Sequence, residues 1–212
     1  MPYGYLGQNQ PNQTVSNSGV FSITDVAELQ SQGKLGGSLE LIEEQTFSGV
    51  SVVDFTSIQE NKYDVHYMQL SNIKHTGGLD TTNFQLYENG VLETASVYQQ
   101  AYQTGTSGGL FQEGKSTATD DTYWSYNNNG TTQDTKDSES GYVYFYNLGN
   151  SSKYSFFTHQ MGFTDLGLYR FSFGGAVLPQ ASLVNGIRIK MHNSFNASGT
   201  AKLYGVKQIW VT

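Results

Sequence analysis

The chain contains no cysteine, which removes disulfides, zinc–thiolate sites and cysteine nucleophiles together. It has little charge: Asp, Glu, Lys and Arg make up 14%, where an ordinary soluble domain has about 25%. Its solvated faces must therefore be built from Asn, Gln, Ser, Thr and the hydroxyls of 15 tyrosines. The 11 Lys and Arg are dispersed against 18 Asp and Glu, so no cationic stripe exists to neutralise phosphates, and nucleic acid is excluded as a partner. No apolar run approaches the ~20 residues of a membrane span. The polar start MPYGYLGQNQPNQT lacks the charged and apolar regions of a secretion signal, and the expectation is a protein made in a cytoplasm.

What is present is aromatic residues (14%) and 24 glycines, in a chain whose length suits one all-β domain. From Ser38 onward the periodicity is two. Segments near 39–47, 50–58, 62–73, 83–88, 91–98, 141–147, 153–159, 167–173, 186–192 and 201–211 are β-branched and aromatic with Gly or Asn between them, as strands are. Asn89-Gly90 between FQLYE and VLETASV is the strongest hairpin signal, since a type I′ turn needs positive φ at both central positions. Short, mostly consecutive strands predict an antiparallel β-sandwich of jelly-roll type over 38–212.

Residues 1–37 read differently. The first 19 are rich in Gly, Asn, Gln and Ser, a composition that does not bury a core of its own. The expectation is an extended arm lying on a partner chain, with Tyr3, Tyr5, Leu6, Val20, Phe21, Val26 and Leu29 as its contacts. TDVAELQSQG carries a capping-box spacing, Asp25 to Glu28, and a stop at Gly33, which predicts one helix of about two turns. GKLGGS at 33–38 is the expected hinge.

Several patterns resemble chemistry. GLFQEGKS, 109–116, has the spacing of a phosphate-binding loop, but such a loop needs a buried strand before it and a helix after it; polar segments flank it here. GTSGG, 105–109, resembles a serine-protease nucleophile loop without the preceding Asp or an upstream His motif, and reads as a turn. The four histidines are scattered, with no two at zinc-motif spacing; Asp120-Asp121 and the Asp134, Asp137, Glu139 cluster have the oxygens of a Ca²⁺ site or of paired glycosidase carboxylates, and read as a solvated acidic loop. No catalytic, cofactor or metal residues are assigned. The segment 114–141 is polar and too long for an ordinary connection, and Tyr123, Trp124 and Tyr126 stand out in it as a candidate contact loop. Trp124 is the expected anchor, with Tyr123 and Tyr126 as the contacts; the same composition also suits an insertion whose aromatics fold back on the sandwich.

Taken together, SGVFSITDVAELQSQGKLGGSLELIEEQTFSGVSVVDFTSI, ENKYDVHYMQLSNI, YENGVLETASVYQ, GYVYFYNLGNSSKYSF and ASLVNGIRIK…AKLYGVKQI resemble small structural proteins of marine phages, cyanophages among them, some similar to terminal modules of fibre-like proteins. The resemblance implies a non-enzymatic virion component with a β-sandwich core, on head or tail. Three functions follow as expectations: a capsid decoration, cement or head-appendage protein held by the arm; a tail-fibre or adhesin module; and a glycan-binding, lectin-like module. The expected partners are copies of the chain, as a trimer, other virion proteins, and a host surface glycan.

Overall fold

Among the described residues, alternation of apolar and polar residues gives thirteen strands. They are β1 (Leu39–Val50), β2 (Val52–Phe55), β3 (Val65–His75), β4 (Thr82–Glu88), β5 (Val91–Leu92), β6 (Tyr98–Thr106), β7 (Phe111–Thr119), β8 (Thr122–Tyr123), β9 (Glu139–Tyr146), β10 (Tyr154–Asp165), β11 (Leu168–Ala181), β12 (Val184–Met191) and β13 (Ala197–Val206). The computed structural model describes residue 24 and residues 38–76, 81–123, 137–165, 167–192 and 196–207. The expected arm contacts, the short helix apart from Thr24, Trp124 and Tyr126 lie outside the described residues. Among the described residues no helix is long and apolar enough to cross a membrane.

The strands form two packed antiparallel sheets. One has eight strands in the order β1-β13-β3-β9-β10-β11-β6-β7; the other runs β2-β12-β4-β5, with β8 on β4. The late strands β12 and β13 insert between early ones, β2 and β4 in one sheet and β1 and β3 in the other. This is the double Greek-key winding of a jelly roll, as the sequence predicts. Two further hairpins, β10–β11 and β6–β7, extend the first sheet beyond β9.

Between the sheets lies one apolar core. Phe55, Ile58, Met68, Leu70, Phe84, Phe145, Leu148, Ile187, Ile189 and Leu203 are fully buried, and Phe84 meets Phe145 and Phe157 edge-on at 5.5 Å. The Asn89-Gly90 turn has φ of 50° and 84° and joins β4 to β5 with Glu88 opposite Val91, as a type I′ turn does. The chain divides into two compact units, Leu41–Val206 and a smaller one of Met1–Glu40 with Lys207–Thr212. Within the smaller unit the Lys207 amide donates to the Ser38 carbonyl (2.8 Å) and its ammonium lies 3.5 Å from Glu40.

One expectation needs correction. The polar stretch from 114 is not a single connection: 114–119 completes β7, 122–123 forms β8, and β9 begins at 139. Strands β6 and β7 mix Tyr, Phe and Thr with Ala, Gly, Glu and Lys, which carry weak strand propensity, but the β10–β11 hairpin supplies a paired edge on which they add, and context outweighs propensity.

Candidate functional site

Because side chains alternate in direction along a strand, the eight-stranded sheet has one face in the core and one outward. On β9, Val143 and Phe145 are buried while Tyr142, Tyr144 and Tyr146 are partly exposed on the other side. On β10, Phe157, His159, Met161 and Phe163 point inward, leaving Tyr154 and Phe156 exposed. On β11, Ser172, Ala176 and Leu178 are buried, leaving Tyr169 and Phe173 exposed.

Strand register aligns the outward residues into rows across the sheet. The central row runs Tyr204, Tyr67, Tyr144, Thr158, Gly175, Ala101, Lys115. On one side lies the row Tyr146, Phe156, Val177, Gln99, and on the other Tyr142, Gln160, Phe173, Gln103, Glu113. At the β3–β9 end the rows are a bank of tyrosines: Tyr67 has ring centroids 5.0 Å from Tyr144, 5.8 Å from Tyr204 and 6.0 Å from Tyr142. Partial burial, with the neighbouring phenols, raises the Tyr67 pKa above its ordinary value, so its hydroxyl stays a neutral donor at physiological pH. Tyr146 stacks on Phe156 at 4.8 Å with 17° between planes.

Toward β7 the central row drops to Thr158, Gly175 and Ala101, opening a groove of about 920 Å³. Phe156, Val177 and Gln99 line one side, and Lys115 and Thr117 its β7 end; a smaller hollow of about 270 Å³ continues it past Ala101 to Gln103, Glu113 and Phe173. A Cβ at Gly175 would sit 2.6 Å from the Phe157 carbonyl oxygen, so the close approach of β10 and β11 keeps this floor empty. Among the described residues the formal charges lining the groove, Lys115 and Glu113, lie 3.8 Å apart and are exposed. At the tip of the β6–β7 hairpin Leu110 (52% exposed) and Phe111 (73% exposed) extend the apolar surface. A contiguous apolar surface of this kind marks an interaction site.

The outer face of the smaller sheet is built differently. Arg188 donates from Nε and Nη2 to the two carboxylate oxygens of Asp54 (2.7 Å each) and from Nη2 to the Tyr87 hydroxyl (2.8 Å). Burial alone would raise the Asp54 pKa, but these bonds hold it below its ordinary value. Lys190 donates to Asp121 (2.7 Å) and lies 3.6 Å from Asp120. Burial disfavours its charge, yet the aspartates hold its pKa above the ordinary value.

Of the acidic groups of the sequence, Asp134 lies outside the described residues. Asp120 and Asp121 are held by Lys190, and Glu139 is buried beside His75 (3.4 Å) and Thr82 (3.4 Å). The His66 Nε2–H donates to the Ile58 carbonyl (2.8 Å), and His159 faces Ser172. Among the described residues no three His, Asp or Glu side chains are grouped to hold a metal. The phosphate-loop pattern lies on β7, with Lys115 exposed at a sheet edge and a strand where a helix is required. GTSGG is the β6–β7 turn, closed by Gly109 N–H to the Thr106 carbonyl (2.9 Å) with Gly109 at φ 90°.

Tyr123 is half-buried in β8. Its amide donates to Gln100 Oε1 (2.8 Å), and its ring packs against Tyr102 and His192 at 5.8 and 6.1 Å. Tyr123 thus packs against the sandwich with part of its ring open to solvent. The outer aromatic face is not among the residues that sequence patterns single out, although YVYFY (142–146) carries the signal: aromatics at consecutive positions must occupy both faces of a strand. No protein-family model matches the chain, and no curated protein matches it significantly.

Proposed function

We propose that this chain is a non-enzymatic structural protein of a phage virion, a capsid decoration, cement or head-appendage subunit that works by presenting a surface. The observation that carries the reading is the outer face of the eight-stranded sheet, where tyrosines and phenylalanines from six strands stand toward solvent. A jelly roll suits this use, because the same winding serves viral capsid and lectin domains, although fold alone assigns no function. The resemblance of the sequence to marine-phage structural proteins supports the virion assignment, and the polar segment 1–37 is the proposed attachment arm. Copies associate as a trimer in this reading, since virion appendages are built with closed symmetry.

Mass spectrometry of purified particles, with gold labelling at the C-terminus, tests the assignment. Deleting residues 1–33 should leave the sandwich folded and abolish incorporation; full occupancy by the truncated chain would contradict the arm. A second reading, a host-binding module of a tail fibre, is favoured by the groove on the same face.

A further inference from the structure

The groove across β10, β11, β6 and β7 differs from the rest of the outer face in having room, walls and unsatisfied hydrogen-bonding groups together. From Thr158 to Lys115 it crosses four strands, about 14 Å at the usual strand spacing. Phe156 (38% exposed) and Phe173 (46% exposed) flank its floor in the two neighbouring rows. Both expose ring area to solvent, and a flat apolar ring at a groove edge is a stacking platform.

The polar groups narrow the chemistry. Gln99, Thr117 and Thr158 line the groove, and Gln103 the hollow beside it. Among the described residues none of these four side chains makes an intramolecular hydrogen bond. Amides and hydroxyls both donate and accept, which complements a ligand dense in hydroxyls. The charges select against ions: Lys115 and Glu113 offset one another at 3.8 Å, so neither a phosphate nor a carboxylate finds a surplus of opposite charge. Pockets of this volume, lined by apolar rings with a few polar groups, are typical of small-ligand sites.

We infer that this groove binds a neutral oligosaccharide, with Phe156 and Phe173 stacking on sugar rings and Gln99, Gln103 and Thr158 bonding to its hydroxyls. The inference rests on the outer face being the presented surface, and is independent of whether the chain belongs to a virion. A second copy of the chain is the competing occupant, and light scattering separates the two.

The test uses the full-length protein in saturation-transfer NMR and calorimetry. The probes are neutral tetrasaccharides, namely β-1,4-glucan, β-1,3-glucan and α-mannan, with a sulfated tetrasaccharide as the anionic control. At least one neutral probe should bind at millimolar concentration or below, and the sulfated probe should not. Phe173→Ala should weaken binding about ten-fold, the scale of one lost aromatic contact, and Ala101→Phe should abolish it by filling the floor. Both positions face solvent, so the melting temperature should stay unchanged; if Ala101→Phe lowers it, Gln99→Ala serves in its place with the same expected loss. Three results would overturn the inference: no neutral probe bound, the sulfated probe preferred, or binding intact in Phe173→Ala and in the groove variant. Self-association that buries this face and excludes every probe would overturn it as well and would leave the virion assignment standing. Absence from particles alongside intact sugar binding would remove the virion reading and leave this one.

Discussion

The two outer faces of the sandwich handle polarity in opposite ways. On the smaller sheet each prominent charge has its partner within the same chain: Arg188 with Asp54 and Tyr87, Lys190 with Asp121 and Asp120. On the eight-stranded sheet, rings of Tyr67, Tyr144, Phe156 and Phe173 are only partly covered, and although Gln160 accepts from the Tyr142 hydroxyl, among the described residues the Gln99 and Gln103 side chains bond to nothing in the chain. A face that satisfies itself contributes to stability, and a face left unsatisfied is available to a partner. Substitutions on the first should therefore register in melting, and those on the second in binding.

The layer between the faces sets the scale for this contrast. His159 is buried against Phe157 and Ser172, and desolvation pushes its pKa down to about 4. In the unfolded chain it titrates near 6.5, so on acidification the unfolded state takes up the proton first. Stability is then complete above about pH 6.5 and falls as pH drops toward 4, by roughly 3 kcal/mol. His66, lowered by burial despite its bond to the Ile58 carbonyl, acts in the same direction. Denaturant melts between pH 7 and 4 should show this decline, and His159→Gln should flatten much of it.

On the smaller sheet, Arg188→Met leaves the Asp54 carboxylate half-buried without its partner and should cost about 1–3 kcal/mol. A double-mutant cycle with Asp54→Asn checks the coupling, which should exceed that of an exposed pair. By contrast Phe173→Ser, on the open face, should change stability by no more than about 0.5 kcal/mol. Lys115→Ala should have the smallest effect of all, because its ion pair with Glu113 is fully solvated and exposed pairs contribute little. A large loss of stability in Phe173→Ser would remove the distinction between the faces.

The fold was legible because its core strands carry their own alternation and its tightest turn its own dipeptide. Ile187-Arg188-Ile189 marks its faces without reference to neighbours, and Asn89-Gly90 marks a reversal, whereas in Val65-His66-Tyr67-Met68 it is the polar His66 that is buried and Tyr67 that turns outward. Strands β6 and β7 were not legible, since YQQAYQTGT and FQEGKSTAT become strands only where β11 offers them a pairing edge. The binding face was readable strand by strand but not as a face. Tyr204, Tyr67 and Tyr144 form one row because of registers among three strands remote in sequence, and register is set by the assembled sheets. Tyr123, conspicuous in a polar stretch, has its backbone amide held by the side-chain carbonyl of Gln100, a residue that no local pattern connects to it.

Binding of purified protein to host cells and to particles lacking the chain, measured for Phe156→Ser/Phe173→Ser beside Arg188→Met, tests the division most directly. The account predicts that the double variant melts like the parent and loses at least one of these associations, whereas Arg188→Met melts earlier and associates normally below its melting transition. Undiminished association of Phe156→Ser/Phe173→Ser with both, together with its loss in folded Arg188→Met, would place the contact surface on the smaller sheet and contradict it.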